Sequence, residues 1–249
     1  MDQIKSAIFN YVEYLQTPSL SHFEEKFSSK VEKDFGTENC VGNPLALDAP
    51  LTPYMFIVHL DRVKVIYSPP TVLNDWNGEN VLTGQLDNAI TIGCLKSLKD
   101  EGFKFNVFFT KREEICDAHN EVINMWEALD KKYTLIDCDI DVYFESDEWR
   151  NSISLRDGDD IEAFDTATVS DLREKAYDGG IPVDVKTDWL IGTAGFVMRE
   201  GNKKGYNIPA AYLGLPILEY HTNHEKVSIK SLKHYYNMLK LLCEGKNNE

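Results

Sequence analysis

Histidine and acidic side chains stand at the ends of short apolar runs in this sequence. His59 and Asp61 follow the run MFIV, and their spacing of two places both side chains on one face of a β-strand. A neutral histidine can ligate zinc while a nearby carboxylate orients its ring and raises its basicity. The pair therefore indicates part of a metal site, although a His-x-Asp pattern is not specific by itself.

Further acidic groups have a similar placement. Glu113 and Glu114 directly follow the apolar run FKFNVFF, and adjacent carboxylates repel each other unless a positive charge lies between them. Asp87 precedes a predicted helix, where it could cap the helix or ligate a metal. Asp137 and Asp139 lie inside an apolar strand, where a carboxylate is costly to bury unless it is paired or metal-bound.

A second histidine, His221, stands in the segment EYHTNHE shortly before the last predicted helix. A lone histidine in a loop is usually a surface residue, but here it joins a larger set. Mixed histidine and carboxylate ligands, with one aspartate shared, suit a pair of zinc-type ions. The candidate site comprises His59, Asp61, Asp87, Glu113, Glu114, Asp137, Asp139 and His221.

The elements that must position these residues alternate between strand and helix. Apolar periodicity predicts two helices in the first 35 residues and further helices at 88–101, 117–131 and 225–243. Buried strands are predicted at 54–61, 103–110 and 133–144, and short strands with turns at Gly192, Gly195, Gly205 and Gly214 within 187–220. This order predicts an α/β fold with a mostly parallel sheet flanked by helices, and function at the carboxyl ends of the strands.

Composition excludes several classes of function. The chain has 249 residues and a formal net charge of −15, so it is a poor match for nucleic acid or an anionic membrane. It contains neither an apolar stretch of about 18 residues nor a signal-peptide pattern at its N-terminus. The five cysteines form no Cys-x-x-Cys pair, which is typical of free thiols in a reducing cytoplasm. We expect one domain over 1–249.

One segment departs from this pattern. Residues 145–188 contain 13 acidic side chains against five Arg or Lys, and they carry few long apolar runs. The segment is expected to be a solvated excursion from the fold. The alternative is an acidic lid over the active site.

The order and context of the candidate residues resemble the catalytic domain of co-catalytic dizinc exopeptidases. That clan includes glutamyl and deblocking aminopeptidases, Aeromonas-type leucyl aminopeptidases, and carboxypeptidase and aminoacylase relatives. The resemblance covers most of the chain: an opening helix TPSLSHFEEKFSSKVEKDFG with Val41-Gly42-Asn43, then FIVHLDRV, LDNAITIGCLKSL, TKREEI, GYNIPAAYLG and EYHTNHEKVSIKSL. It implies the zinc exopeptidase (phosphorylase/hydrolase-like) fold, with a mixed, mostly parallel sheet.

The resemblance also implies a role for each candidate residue. His59 would bind one metal, Asp61 would orient His59, and Asp87 would bridge two divalent ions, zinc in the first place and cobalt or manganese as alternatives. Glu113 would be the general base and Glu114 a ligand of the second ion. The remaining ligands would be Asp139 for the first ion, with Asp137 as its competitor, and His221 for the second.

The activity so implied is hydrolysis of an amide bond, most simply by an aminopeptidase acting on peptides. In such relatives acidic groups hold the free amine of the substrate, and Asp157, Asp159 and Asp160 could contribute here. The alternatives are a deacylase or carboxypeptidase acting on N-acylated small molecules, and a catalytically inactive binding relative. The second activity would need a cation for a substrate carboxylate, with Arg62, Arg156 and Arg199 as candidates.

Two departures and two gaps qualify the resemblance. Ile115-Cys116-Asp117-Ala118 follows the glutamate pair where relatives have glycines, and Arg62 replaces a commoner acidic or apolar residue. His59 and Asp87 are 28 positions apart, and Asp139 and His221 are 82 apart. These gaps leave no room for the satellite domain of larger relatives, so a monomer or small homo-oligomer is expected.

Overall fold

The structure, a computed structural model, describes residues 2–17, 19–20, 22, 24–35, 52–62, 70–74, 79–129, 133–143, 150–187 and 192–244. Val41-Gly42-Asn43 of the opening motif lies outside these residues. The helices are α1 (Asp2–Leu15), α2 (Glu25–Phe35), α3 (Ala89–Asp100), α4 (His119–Ala128), α5 (Thr166–Asp178), α6 (Thr193–Lys203) and α7 (Ile229–Cys243). The strands are β1 (Tyr54–His59), β2 (Thr71–Asn74), β3 (Asn80–Gly84), β4 (Asn106–Thr110), β5 (Thr134–Val142), β6 (Ile153–Gly158), β7 (Val183–Thr187), β8 (Ala210–Ile217) and β9 (Glu225–Ser228).

A six-stranded sheet with the order β4-β1-β5-β8-β6-β7 forms the centre of the fold. All neighbouring strands are parallel except β6 and β8, which are antiparallel. Every residue of β1 and β8 is buried, as expected for inner strands that are covered on both faces. The predicted α/β fold with a mixed, mostly parallel sheet is confirmed.

Helices cover the sheet in two groups. Helices α4 and α6 pack on each other, and α6 also contacts β5 and β8. Helices α1, α3, α5 and α7 form the other group, in which α1 and α3 pack closely. Gly93 permits that approach, because a Cβ atom there would lie 2.7 Å from the carbonyl oxygen of Ala7.

A three-stranded sheet, with the order β2-β3-β9, was not predicted from the sequence. The apolar pattern predicts that residues 225–228 belong to the last helix, but they form β9, antiparallel to β3. The helix begins only at Ile229, because the side chain of Ser228 accepts a hydrogen bond from Lys230 N–H and caps the first turn.

The acidic segment is the main correction to the predicted organisation. Its described residues form β6, α5 and β7, so they belong to the main sheet and are not an excursion from it. The apolar positions Ile153, Leu155 and Leu172 are buried, while every described acidic side chain of the segment is exposed or half-buried. The segment is therefore a half-buried strand–helix–strand unit, although its high charge predicts a solvated excursion.

Helix α6 is a second correction, because the sequence predicts turns at Gly192 and Gly195. Gly192 precedes the helix and Gly195 lies inside it. A Cβ atom at Gly195 would come within 2.1 Å of a carboxylate oxygen of Asp159. Glycine is required here by close packing and not by a turn.

Two further features bear on the sequence-based expectations. In the described ranges, none of the helices combines the length and apolar character that crossing a membrane requires. Cys94, Cys116, Cys138 and Cys243 are free thiols, whereas Cys40 lies outside the described residues.

Candidate metal centre

The candidate residues converge at the carboxyl ends of the central parallel strands. His59 is the last residue of β1 and pairs with Thr110, the last residue of β4. Strand β5 lies on the other side of β1, with Asp137 beside Ile57. Asp139 lies two residues further along the same face and so reaches His59.

Asp87 faces both histidines through different oxygen atoms. Its Oδ1 lies 2.9 Å from Nε2 of His59, and its Oδ2 lies 3.4 Å from Nε2 of His221. Asp139 Oδ1 completes the first group at 3.2 Å from His59 Nε2. Glu114 Oε2 completes the second group at 3.3 Å from His221 Nε2. The structure therefore gathers two sets of ligand-type side chains that share one aspartate.

Asp61 orients His59 mainly through its main chain. Nδ1 of His59 lies 3.0 Å from the carbonyl oxygen of Asp61 and 3.7 Å from its carboxylate. A proton on Nδ1 directed to that carbonyl holds the ring with Nε2 towards Asp87 and Asp139. The carboxylate of Asp61 accepts the backbone N–H groups of Glu113 and Glu114, at 3.0 and 3.2 Å.

The glutamate pair lies in a single 3₁₀ turn, Glu113–Ile115, flanked by two residues in the left-handed region. Arg112 has φ 60° and Cys116 has φ 57°, conformations that glycine adopts more readily. Arg112 is held by ion pairs to Asp117 at 2.8 Å and Glu121 at 3.2 Å. These contacts account for a tight turn in which Cys116 stands where relatives were expected to carry glycine.

Asp137 and Asp139 share a face of β5 but have different surroundings. Asp137 Oδ2 accepts the backbone N–H of Ala194 at 2.8 Å, at the N-terminus of α6, where the helix dipole favours an anion. Asp139, in contrast, lies within 4.8 Å of ligand atoms of His59 and Glu113. The geometry favours Asp139 as the ligand of a cation beside His59.

The pKa values of the site residues are shifted because many acidic groups lie close together. Burial, followed by repulsion from neighbouring carboxylates, raises the pKa of Asp137 and of Glu114 to about 7. Burial likewise raises the pKa of Glu113 well above its ordinary value, although His59 opposes the shift. Burial lowers the pKa of His221, but its contacts with Asp87 and Glu114 outweigh burial and raise that pKa to about 10.

These residues fit a pair of divalent cations. Glu114 Oε1 is a buried oxygen atom without a hydrogen-bond partner among the described residues. Two groups of side chains each bring three potential ligand atoms within 4.8 Å of one another. One group is His59, Glu113 and Asp139, and the other is His59, Asp87 and Glu114. Cations between these side chains would bind the carboxylate oxygens and relieve the repulsion between the carboxylates.

Exposure indicates the open side of the site. The side chains of His59 and Asp61 are 3% and 0% exposed, whereas that of His221 is 30% exposed. The ring of Tyr220 stacks on His221, with ring centroids 3.5 Å apart. A substrate would therefore approach from the side of His221.

Glu225 is a site residue that sequence reasoning missed. Its carboxylate is fully buried and accepts backbone N–H groups from the segments that carry Asp87 and His221. Burial and repulsion from Asp87 raise its pKa to about 8. The available signal was a glutamate four positions after the candidate ligand His221.

The three acids proposed to hold a substrate amine lie elsewhere. Because β6 runs antiparallel to β8, Asp157, Asp159 and Asp160 lie at or after the end of β6 that is beside the start of β8, away from the strand ends that carry His59 and Asp139. Asp159 accepts the backbone N–H groups of Ile161 and Glu162 at 2.8 and 3.0 Å. The expectation that these acids line the active site is therefore wrong.

The three candidate arginines are all engaged with the protein itself. Arg62 donates to the carbonyl oxygen of Tyr14 at 3.0 Å, at the C-terminal end of α1. Arg156 donates to Asp141 at 2.8 Å and is 2% exposed. Arg199 pairs with its neighbour Glu200 at 3.0 Å, on α6.

Solved peptidase structures resemble this chain along almost its whole length. An aminopeptidase from the archaeon Desulfurococcus kamchatkensis has a TM-score of 0.72 at 10% identity, over 97% of this chain and 95% of that one. A TET aminopeptidase from a marine sediment archaeon of the Thaumarchaeota has a TM-score of 0.71 at 10% identity, over 96% of each chain.

The TET1 peptidase of Pyrococcus horikoshii, which can assemble into a tetrahedron or a large octahedral shell, has a TM-score of 0.69 at 12% identity. That match covers 96% of this chain and 99% of the peptidase. No protein-family model and no curated protein sequence matches the chain. The likeness confirms, at the level of the fold, the resemblance to dizinc exopeptidases drawn from the sequence.

Proposed function

We propose that this chain is a dinuclear metal-dependent aminopeptidase. The observation that carries the proposal is the position of Asp87 between the two histidines, with Oδ1 directed to His59 and Oδ2 directed to His221. An aspartate that presents each oxygen to a different ligand group is suited to bridge two cations. The peptidase fold of its structural neighbours supports the same reading.

The chain's own residues would hold the ions in two overlapping sets. His59, Asp87 and Asp139 form the first set, and Asp87, Glu114 and His221 form the second. Zinc suits this mixture of imidazole and carboxylate, and cobalt and manganese accept the same ligands. When bound, such ions lower the pKa of a water and polarise the scissile carbonyl.

Glu113 is placed to carry the proton. Its backbone is fixed by Asp61, and its carboxylate lies within 4.8 Å of ligand atoms of His59 and Asp139. Glu113 would accept the proton of the attacking water and return it to the leaving amine. Glu114 cannot serve this purpose in the same way, because it is directed towards His221 as a ligand.

The charges around the site support a free N-terminus as the part of the substrate that is recognised. Seven carboxyl groups lie at the site, and they belong to Asp61, Asp87, Glu113, Glu114, Asp137, Asp139 and Glu225. This number exceeds the four positive charges that two divalent ions would supply. Residual negative charge favours a substrate ammonium group.

The contacts of the candidate arginines disfavour the deacylase and carboxypeptidase alternative. Such an enzyme needs a cation for a substrate carboxylate, and Arg62 and Arg156 are buried and bonded within the protein, while Arg199 pairs with Glu200 on α6. An inactive relative is disfavoured because Glu113 is retained beside the ligands. We further propose a single catalytic domain over residues 1–249 that works in the cytoplasm as a monomer or small homo-oligomer.

Paired chromogenic substrates test this function. An aminoacyl p-nitroanilide and its N-acetylated form are offered to chelator-treated protein, with and without added Zn²⁺, Co²⁺ or Mn²⁺. Metal-dependent turnover of the free amine alone is expected. Turnover of the acetylated substrate would instead indicate a deacylase, and no turnover with any metal would contradict the proposed hydrolase.

A further inference from the structure

Glu225 connects the two segments that carry the shared aspartate and the second histidine. It is the first residue of β9, where it pairs with Gly84 of β3, and its side chain is fully buried. Strand β3 leads directly to Asp87, and the turn before β9 contains His221. Glu225 thus lies between two chain segments that are far apart in sequence.

The carboxylate uses both oxygen atoms in this connection. Oε2 accepts the backbone N–H groups of Leu86 and Asp87, at 2.5 and 3.1 Å. Oε1 accepts the backbone N–H of His221, at 2.8 Å. Both sides of the group therefore act as acceptors, whereas an amide in its place would present an N–H donor on one of the two sides.

The conformation of His221 requires such support. Its φ is 56°, in the left-handed region that few residues other than glycine adopt without compensating contacts. The bond to Glu225 is made by the backbone N–H of the same residue. The contact therefore fixes the direction in which the imidazole leaves the main chain, towards Asp87 and Glu114.

We propose that Glu225 is a positioning residue for the second metal ion, acting through the backbones of Asp87 and His221. The inference rests on the proposed dinuclear function. It predicts that loss of the Glu225 carboxylate weakens binding of the ion held by Asp87, Glu114 and His221. Groups that orient metal ligands typically change metal affinity by about 10–100-fold when they are removed.

Metal titration of a matched pair of variants tests the proposal. Glu225→Gln keeps the size of the side chain but replaces one acceptor oxygen by an N–H donor. Glu24→Gln is the control, because Glu24 is also buried and its carboxylate accepts a backbone N–H from His22, at 2.9 Å in the turn before α2. Each purified protein is stripped with chelator and titrated with Co²⁺, with the visible spectrum and the melting temperature recorded.

The wild type and Glu24→Gln are expected to bind two ions, while Glu225→Gln binds the second about 10–100-fold more weakly. Excess Co²⁺ should restore the two-ion spectrum of Glu225→Gln. Equal two-ion binding by all three proteins, or equal loss in both variants, would overturn the role of Glu225. Failure of the wild type itself to bind a second ion would instead overturn the proposed dinuclear function, and this inference with it.

Discussion

The backbone N–H of Glu113 is bound to the carboxylate of Asp61, at a distance of 3.0 Å. The same carboxylate accepts the next N–H, and the carbonyl oxygen of Asp61 lies 3.0 Å from Nδ1 of His59. One residue at the end of β1 therefore holds both a candidate metal ligand and the turn with the candidate base. The main chain of Glu113 is fixed while its carboxylate stays available for proton transfer.

Glu113→Gln should retain both metal ions and the fold but lose activity. The side chain keeps its size, yet its amide cannot accept a proton from water. Loss of a general base lowers kcat by about 10²–10⁴-fold. The measurement is kcat together with metal content, and full activity in this variant would contradict the mechanism.

Glu114→Gln is the matched comparison at the neighbouring position. It removes an anionic group 3.3 Å from His221 Nε2, so metal content should fall. If Glu113→Gln loses metal and Glu114→Gln keeps it, the roles of the two glutamates are exchanged.

Asp139→Asn and Asp137→Asn should separate the two candidate ligands on β5. Asp139 lies 3.2 Å from His59 Nε2, so its substitution should reduce metal content and activity. Asp137 accepts an N–H at the start of α6, and the oxygen of an asparagine can keep this bond, so its substitution should leave metal content unchanged. Elemental analysis distinguishes the two outcomes; loss of metal only in Asp137→Asn would reverse the assignment.

The chelator-treated protein should become less stable as pH rises from about 5 to about 8. Glu114 and Asp137 have a folded-state pKa of about 7, above their ordinary values of 4.5 and 3.8, so folding is penalised as each loses its proton. His221, with a pKa raised to about 10, adds stability that is complete below about 6.5 and is lost as pH rises towards 10.

Melting temperatures across this pH window, with chelator and with Zn²⁺, provide the check. Zinc should remove most of the decline, because cations replace the protons that otherwise relieve the acidic repulsion. A melting temperature of the chelated protein that rises with pH over this range would contradict the expectation.

Gly195→Ala should destabilise the fold by about 1–3 kcal/mol through overpacking. The new methyl group would meet the carboxylate of Asp159, which is held by two backbone N–H groups. Asp159→Ala in the same chain should recover part of the loss, so a double-mutant cycle in urea should show coupling between the two positions. Additive effects would indicate that the two residues do not touch.

Light scattering of the purified protein should show a monomer or a small oligomer. The gaps between the candidate ligands are expected to leave no room for a satellite domain that could build a large shell. Peptides longer than a few residues should therefore reach the site and be shortened from the N-terminus. A dodecamer in solution would contradict this expectation.

Elements with a strongly periodic apolar pattern, and the candidate ligands at their ends, could be predicted from the amino-acid sequence alone. Strands β1, β4 and β5 and helices α1, α3 and α4 were predicted because each has an apolar pattern that reports its own burial. Parallel strands place their carboxyl ends at one edge, so the convergence of His59, Glu114 and Asp139 followed from their positions after those strands.

Contacts between segments that are distant along the chain could be identified only in the folded structure. Asp137 and Asp139 have the same periodicity, and the N-terminus of α6 distinguishes them by binding Asp137. Gly195 belongs to a helix because Asp159 packs against it, and Glu225 was found through its hydrogen bonds to two loops. A local pattern records whether a residue is buried, whereas the identity of the opposing partner depends on long-range packing.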